Sequence, residues 1–284
     1  MVITVTAPTT DIFVIGTASL DMLHLANGQS AQAAGGAGLY TAMAAYKAGV
    51  RAGLFAPKPD PLPEPLQLAA AHLQWAGPTI LPEALPRLEI EHHGHGQATL
   101  LDASWGAESQ LIPQIMPTII IESQIVHIAA LSSAQRQLDF LAEIYRRRSA
   151  AGSRRSLLSA GTYARLVYGD TQRVRQLFEQ ADLFFMNENE AKGLFGSVDQ
   201  AQTRPDALLF VTLDAEGALV IKGQQVIHVP GHPVAEVDPT GAGDTFCGAT
   251  LAGLVQGKSP VAAAAEAVKL AAQTVSVVGP SALY

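Results

Sequence analysis

An acid stands among glycines in the run VDPTGAGDTFCGATLAGL, residues 237–254. Asp244 follows Thr240, Gly241, Ala242 and Gly243, and behind it Phe246, Thr250 and Leu254 recur at helical spacing. A helix that begins near Ala242 points its free N–H groups and the positive end of its dipole into that loop. Glycines there let an anion approach the backbone closely. Asp244 falls in the first turn, where an acid also gains from the dipole alone. Beside exposed amides a carboxylate has a second use. The amides hold charge that moves during a group transfer, and the carboxylate accepts a proton. The arrangement suits phosphoryl transfer.

Other stretches offer chemistry with simpler readings beside it. Gly35 and Gly36 precede a helical pattern in which Leu39, Met43 and Tyr46 share a face. They either admit a ligand to backbone N–H groups or only turn the chain. The order G-x-G-x-x-G is absent, which disfavours a dinucleotide-binding dehydrogenase. In NENEAKGLFG, residues 187–196, Asn187 and Glu190 lie three apart. That pair orders a hydrated Mg²⁺ near phosphates, or forms a capping box, and the two roles are compatible. In EHHGHG, Glu91, His93 and His95 share one face of a regular strand, as a zinc site of a metallohydrolase would require. No fourth ligand stands nearby, so a polar hairpin tip is the simpler reading, and His92, His93 and His95 are given no role. AGLVQGKS, residues 252–259, approaches a phosphate-binding loop but has Ala252 where a glycine is required. Gly257 reads as a helix stop, and Ser259-Pro260 as the cap and first residue of the next helix.

These residues need a frame. Apolar runs at 11–16, 50–56, 124–130, 156–160, 182–187 and 207–213 read as buried parallel strands. Helical patterns at 37–48, 64–76, 134–150, 170–180 and 188–195 alternate with them. The alternation predicts a doubly wound, mostly parallel α/β sheet, with ligands beyond the carboxyl ends of its strands. Residues 218–229 read as a hairpin turning near Gly223. Residues 57–66 hold five of the seventeen prolines and read as a loop entering a helix. Residues 87–105 alternate apolar and polar types around Gly94 and Gly96, which predicts a polar hairpin. With residues 17–25 that hairpin forms a small β flap over a site.

The chain has 284 residues, 48% hydrophobic and 15% charged, enough for one large domain with a sizeable core. A net charge of −7 argues against nucleic acid as a partner. Arg146, Arg147, Arg148, Arg154 and Arg155 read as a solvated helix end. A lone cysteine, Cys247, forms no internal disulfide and suits a reducing cytoplasm. The first residues make a poor signal peptide, and no uncharged apolar run is long enough to span a membrane.

VDPTGAGDTFCGA resembles the C-terminal signature of the PfkB/ribokinase family of carbohydrate and nucleoside kinases. GTASLD, GGAGLYTA, NENE and VTLDAEGALV resemble further motifs of that family, in the same order along nearly the whole chain. The resemblance implies a ribokinase-like, Rossmann-like three-layer domain over residues 1–284, with a β-sheet lid from about 17–25 and 87–105. It implies ATP-dependent phosphorylation of a hydroxyl on a sugar, nucleoside or related polyol. Asp244 is then the base, with Gly241, Ala242 and Gly243 as the anion hole. Asp21, Gly35, Gly36 and Tyr40 face the acceptor. Asn187, Glu190, Thr212 and Gly217 face the nucleotide, with Mg²⁺ held by Glu190 and Asn187 through water. A homodimer through the lid is also implied. The alternative is a catalytically silent binding protein of the same fold. Three departures bear on the acceptor. Tyr40 replaces a common Asn and offers a ring for stacking. Ala160 stands where an Asp often ends a strand. Residues 57–66 replace a Gly-Asp-Asp region.

Overall fold

The computed structural model describes residues 10–94, 97–151 and 156–284. His95, Gly96, Arg154, Arg155 and the first nine residues lie outside them. Along the chain run β1 (Ile12–Ile15), β2 (Ser19–His24), β3 (Ser30–Gly35), α1 (Ala37–Lys47), β4 (Ala52–Phe55), β5 (Lys58–Pro59), α2 (Glu64–His72), β6 (Gln74–Ala76) and β7 (Thr79–Ile80). Then come β8 (Arg87–Gly94), β9 (Gln97–Ser104), α3 (Ile119–Glu122), β10 (Ile125–Ile128), α4 (Ala134–Ala151), β11 (Leu157–Gly161), α5 (Ala164–Gly169), α6 (Thr171–Gln180), β12 (Leu183–Asn187) and α7 (Glu188–Phe195). β13 (Leu208–Thr212), β14 (Gly217–Lys222), β15 (Gln225–Pro230), α8 (Ala242–Val255) and α9 (Pro260–Val275) complete the order.

Nine strands form one sheet in the order β15-β14-β13-β12-β11-β10-β1-β4-β6. All neighbours from β13 to β6 pair in parallel, and β14 and β15 close the other edge as an antiparallel hairpin. The residues explain the layering. Ile12 and Val14 of β1 join the core that packs α1, α8 and α9. Phe13 and Ile15 join the core on the opposite face, against α4, α6 and α7. Successive side chains point to opposite faces of a strand, so an unbroken apolar run requires helices on both sides. The chain leaves β1 toward β4 and β6, then returns to β10 and builds outward the other way. The strand order therefore reverses between β1 and β10, where open α/β sheets form their ligand crevice.

A second sheet has four strands in the order β3-β2-β8-β9. The expected hairpin is present, with a register irregularity between Glu89 and Ile90. The sequence reading omitted β3. SAQAAG is too small and polar to look like a strand, yet it pairs along the whole of β2. Two helical readings also change. α2 stops at His72 because Leu73 turns extended. Gln74–Ala76 then pairs with β4, and Trp75 is buried there with its indole N–H donating to the Ala56 carbonyl. α5 precedes α6 and is a helix beyond those the sequence pattern predicts. The proline-rich 57–66 does pair, over the two residues of β5 against β7. Arg147 is more than a solvated charge. It pairs with Glu143 and donates to the carbonyls of Pro113, Gln114 and Met116.

Small residues set how closely α8 approaches its neighbours. A Cβ at Gly248 would lie 2.0 Å from the Thr41 carbonyl oxygen of α1. Alanine gains at most about 1 kcal/mol of helix propensity, whereas overpacking costs about 1–3 kcal/mol. Gly248→Ala is therefore expected to lower the unfolding free energy, and a denaturant midpoint equal to or above wild type would show that α1 yields.

Candidate active site

A cavity of about 350 Å³ opens at the carboxyl ends of the parallel strands. Thr17 beyond β1 and His127 of β10 place it at the switch point. Gly161, Phe185, Asn187 and Thr212 extend its wall along β11, β12 and β13. The start of α8 faces it through Thr240, Gly241, Gly243 and Asp244.

α8 begins at Ala242, as its sequence predicts, with Gly241 as N-cap at φ 74°. A Cβ there would also lie 2.4 Å from the Tyr40 ring. Glycine is thus needed twice, for the left-handed backbone and for the ring against it. The three residues expected to donate amides differ. The Ala242 N–H already donates to the Pro239 carbonyl at 3.2 Å, and Ala242 does not line the cavity. Among the described residues the amides of Gly241, Gly243 and Asp244 have no protein acceptor. Those of Gly241, Gly243 and Asp244 are therefore the groups available to an anion.

Asp244 is only partly exposed, and that exposure is to the cavity. Burial pushes its pKa up to about 7. Glu190 is buried, and its pKa also rises to about 7, first by burial and then by the Asp244 charge. Glu190 completes a capping box. The Asn187 N–H and Nδ2 donate to its two carboxylate oxygens at 2.9 and 2.7 Å, and the Glu190 N–H donates to Asn187 Oδ1 at 2.9 Å. Such a cap is worth about 1 kcal/mol. It holds both side chains at the cavity wall, where they keep acceptor capacity.

On the other side, Asp21 of β2 is buried and accepts the Leu88 N–H through Oδ1 at 3.1 Å. Burial lifts its pKa to about 6, with the Asp238 charge adding to the rise. The Tyr40 hydroxyl is buried without a partner among the described residues, and Asp21 Oδ2 and Ser19 Oγ are buried beside each other with no other partner. All three residues line the cavity. Buried polar groups are rarely left under-paired, so this cluster at one cavity offers a polar ligand its hydrogen bonds. Gly35 makes room for them: a Cβ there would fall 1.9 Å from Asp21 Oδ2. Gly36, not Gly35, lines the cavity. The Tyr40 ring lies against Gly241 and is buried, so it offers no stacking face, where the sequence suggested one. Gly217 is also displaced from expectation. It opens β14, packs against Val229 and does not reach the cavity.

Several wall residues carried no signal in the sequence. Leu88, Leu100, Trp105, Tyr163, Phe185 and Met186 make a largely apolar surface. His127 is fully enclosed, hydrogen-bonds Ser159 through Nδ1 at 2.8 Å and touches Cys247 Sγ at 3.7 Å. Burial drops its pKa to about 3, so it is a neutral wall and not an acid. Of the histidine segment, His93 is exposed and bonds Thr99 Oγ1 at 2.8 Å. His92, on the other face of β8, is buried against Asp238 and Thr240. No group of three or more His, Cys, Asp or Glu side chains among the described residues forms a metal cage.

The profile of the pfkB family carbohydrate kinases matches residues 3–283. A cytidine kinase of Thermococcus kodakarensis is 26% identical over 257 residues, covering 87% of this chain and 90% of the relative. The adenosine kinase of Sinorhizobium meliloti superposes with a TM-score of 0.79 at 20% identity, covering 96% of this chain and 95% of that one. The ribokinase of Cryptococcus neoformans, solved in complex with ADP, gives a TM-score of 0.75 at 19% identity and 95% coverage of both chains.

Proposed function

The chain belongs to the pfkB family of carbohydrate kinases, and we propose that it moves the terminal phosphoryl group of ATP onto a hydroxyl of a sugar, nucleoside or related polyol. One observation carries this reading: Asp244, its pKa raised to about 7, stands beside unpaired amides at the start of α8 and shares one cavity with the buried Asp21 Oδ2, Ser19 Oγ and Tyr40 hydroxyl. Asp244 takes the proton of the acceptor hydroxyl. The acceptor oxygen bonds to the γ-phosphorus as the bond to the β-phosphate oxygen breaks, and ADP leaves. The Gly241, Gly243 and Asp244 amides receive the charge on the phosphoryl oxygens.

Asn187, Glu190 and Thr212 hold the nucleotide side. Two carboxyls raised by burial, Glu190 further by the Asp244 charge, fit a divalent cation, which relieves both. With no cage of three ligands, Glu190 and Asn187 fit Mg²⁺ through its water shell. Bound there, Mg²⁺ supplies charge neutralisation to the phosphates. Glu190→Gln keeps the cap oxygen and loses the charge, so the Mg²⁺ midpoint for turnover is expected to rise about tenfold or more. An unchanged Mg²⁺ titration would remove Glu190 from that role.

The acceptor side pairs polar atoms with apolar walls, which favours a polyol carrying a ring, such as a nucleoside or cyclitol, over free ribose. Similarity to a cytidine kinase supports that choice. ADP release in the presence of ATP and Mg²⁺, measured across ribose, fructose, cytidine, adenosine and myo-inositol, tests the reading. Release that no acceptor stimulates would leave the chain a silent binding protein. The four-stranded sheet serves as lid to one kinase domain. Leu101, half exposed on its edge strand β9 and not part of the cavity wall, suits contact with a second copy. Among the described residues no helix is long and apolar enough to cross a membrane, and the single buried cysteine suits a cytoplasmic setting.

A further inference from the structure

His92 is a buried side chain that the reaction just described does not use. It projects from β8 of the small sheet and meets the loop that leads into α8. Its Nε2 lies 3.2 Å from Asp238 Oδ1 and 3.1 Å from Thr240 Oγ1. The His92 and Asp238 side chains are only 2% and 0% exposed, so solvent does not screen the contact. Both Asp238 oxygens are engaged. Its Oδ1 also accepts the Thr240 N–H at 2.9 Å, and its Oδ2 accepts the Gly279 N–H at 2.8 Å. One carboxylate therefore gathers three segments: the small sheet, the loop at 238–240, and the C-terminal segment at Gly279. Thr240 directly precedes Gly241, whose amide opens the anion site.

The other end of β8 reaches the acceptor side. The Leu88 N–H donates to Asp21 Oδ1, and Leu88 lines the cavity. A single strand thus touches the acceptor carboxylate at Leu88 and the anion loop at His92. We propose that His92 is a positioning residue that fastens the small sheet to the anion loop, so that the acceptor and the phosphoryl site are held in register. This rests on the kinase reading for its consequence, but the fastening itself does not. With Asp238 Oδ1 as an acceptor, Nε2 carries the hydrogen, an assignment made from its partners. A buried carboxylate that loses one donor keeps its charge and finds no water to replace it. The loop then relaxes toward another partner and the Gly241 amide moves with it.

Two measurements on three proteins test the proposal. The proteins are wild type, His92→Leu, which fills the volume without a donor, and His92→Gln, whose amide places a donor near the position of Nε2. Hydrogen exchange without substrate reads the fastening. The hydrogen-bonded amides of this stretch, those of Thr240, Ala242 and Thr245, are expected to exchange at least about tenfold faster in His92→Leu, to return near wild type in His92→Gln, and β1 to stay unchanged in both. ATP turnover with cytidine, adenosine, ribose and myo-inositol reads the consequence. For whichever is phosphorylated, kcat is expected to fall about 10- to 100-fold in His92→Leu with acceptor KM within threefold, and to recover in His92→Gln. Wild-type exchange at the Thr240, Ala242 and Thr245 amides in folded His92→Leu overturns the proposal, as does faster exchange that His92→Gln fails to restore. Should His92→Leu not fold, Asp238→Asn replaces it and must show the same local exchange. Faster local exchange in a chain that phosphorylates none of the four acceptors upholds the fastening and counts against the kinase reading alone.

Discussion

Asp244→Asn is expected to lose about 10² to 10⁴ of kcat, the range a general base contributes, while ATP still binds. Asparagine is isosteric and leaves the helix start, the Gly241 backbone and the cavity shape in place. Only proton acceptance and the negative charge are lost. The pH dependence bears on the same assignment when it is compared with Glu190→Gln, since Glu190 also titrates near 7. Burial sets the Asp244 pKa at about 7, so the carboxyl is protonated and idle below that value. In the free enzyme kcat/KM should rise with pH through about 7 and then level off. Folding provides a control of opposite sign. A raised carboxyl pKa means that the folded state holds a proton the unfolded chain gives up above its ordinary pKa. The stability it contributes is fully present near pH 4 and is lost as the pH rises through 7. Asp244→Asn should therefore melt higher than wild type at pH 8, with the difference shrinking toward pH 4. A variant that melts higher and turns over far more slowly separates chemistry from unfolding. Wild-type kcat in that variant would show that another group takes the proton.

The parts of this site that were legible in the sequence are those whose physics is local. The start of α8, its glycines and Asp244 lie within four residues of each other, and the capping box of Asn187 and Glu190 within three. The buried strands were legible because an apolar run fits only between two helical layers. The acceptor wall was not. Trp105, His127 and Tyr163 belong to separate segments that converge only through the crossing at β1 and β10. The histidine segment shows how a correct period selects the wrong face. Alternation groups Glu91 with His93, which drew notice as possible ligands, and sets His92 opposite. His92 is the one of these that is buried against the anion loop. Nothing near it in sequence signals its partner, Asp238. β3 and β6 were missed because each is short or polar and owes its conformation to the strand beside it.

Asp21→Asn is expected to raise acceptor KM about 10- to 100-fold and to leave the ATP KM within about twofold. Asp21 Oδ2 is buried at the cavity beside Ser19 Oγ, with no backbone donor. Hydrogen bonds to a charged group are worth about 1.5–3 kcal/mol, which is the size of that KM change. Asparagine retains an oxygen for the Leu88 N–H, so β2 and β8 keep their contact and the small sheet stays seated. It loses the charge, and it presents an amide N–H where an acceptor hydroxyl would donate. Burial holds the Asp21 pKa at about 6, so the wild-type carboxyl is mostly ionised at pH 7 and becomes protonated below 6. Acceptor KM in the wild type should therefore climb as the pH falls through about 6, and the Asp21→Asn variant should lack that climb. The two effects are separated by the parameter they move and by the variants that remove them. Asp21 moves KM, and Asp244 moves kcat. An acceptor KM that is unaltered by Asp21→Asn and flat across pH 6 would place the acceptor elsewhere in the cavity, and would leave Ser19 Oγ and the Tyr40 hydroxyl as the groups to test next.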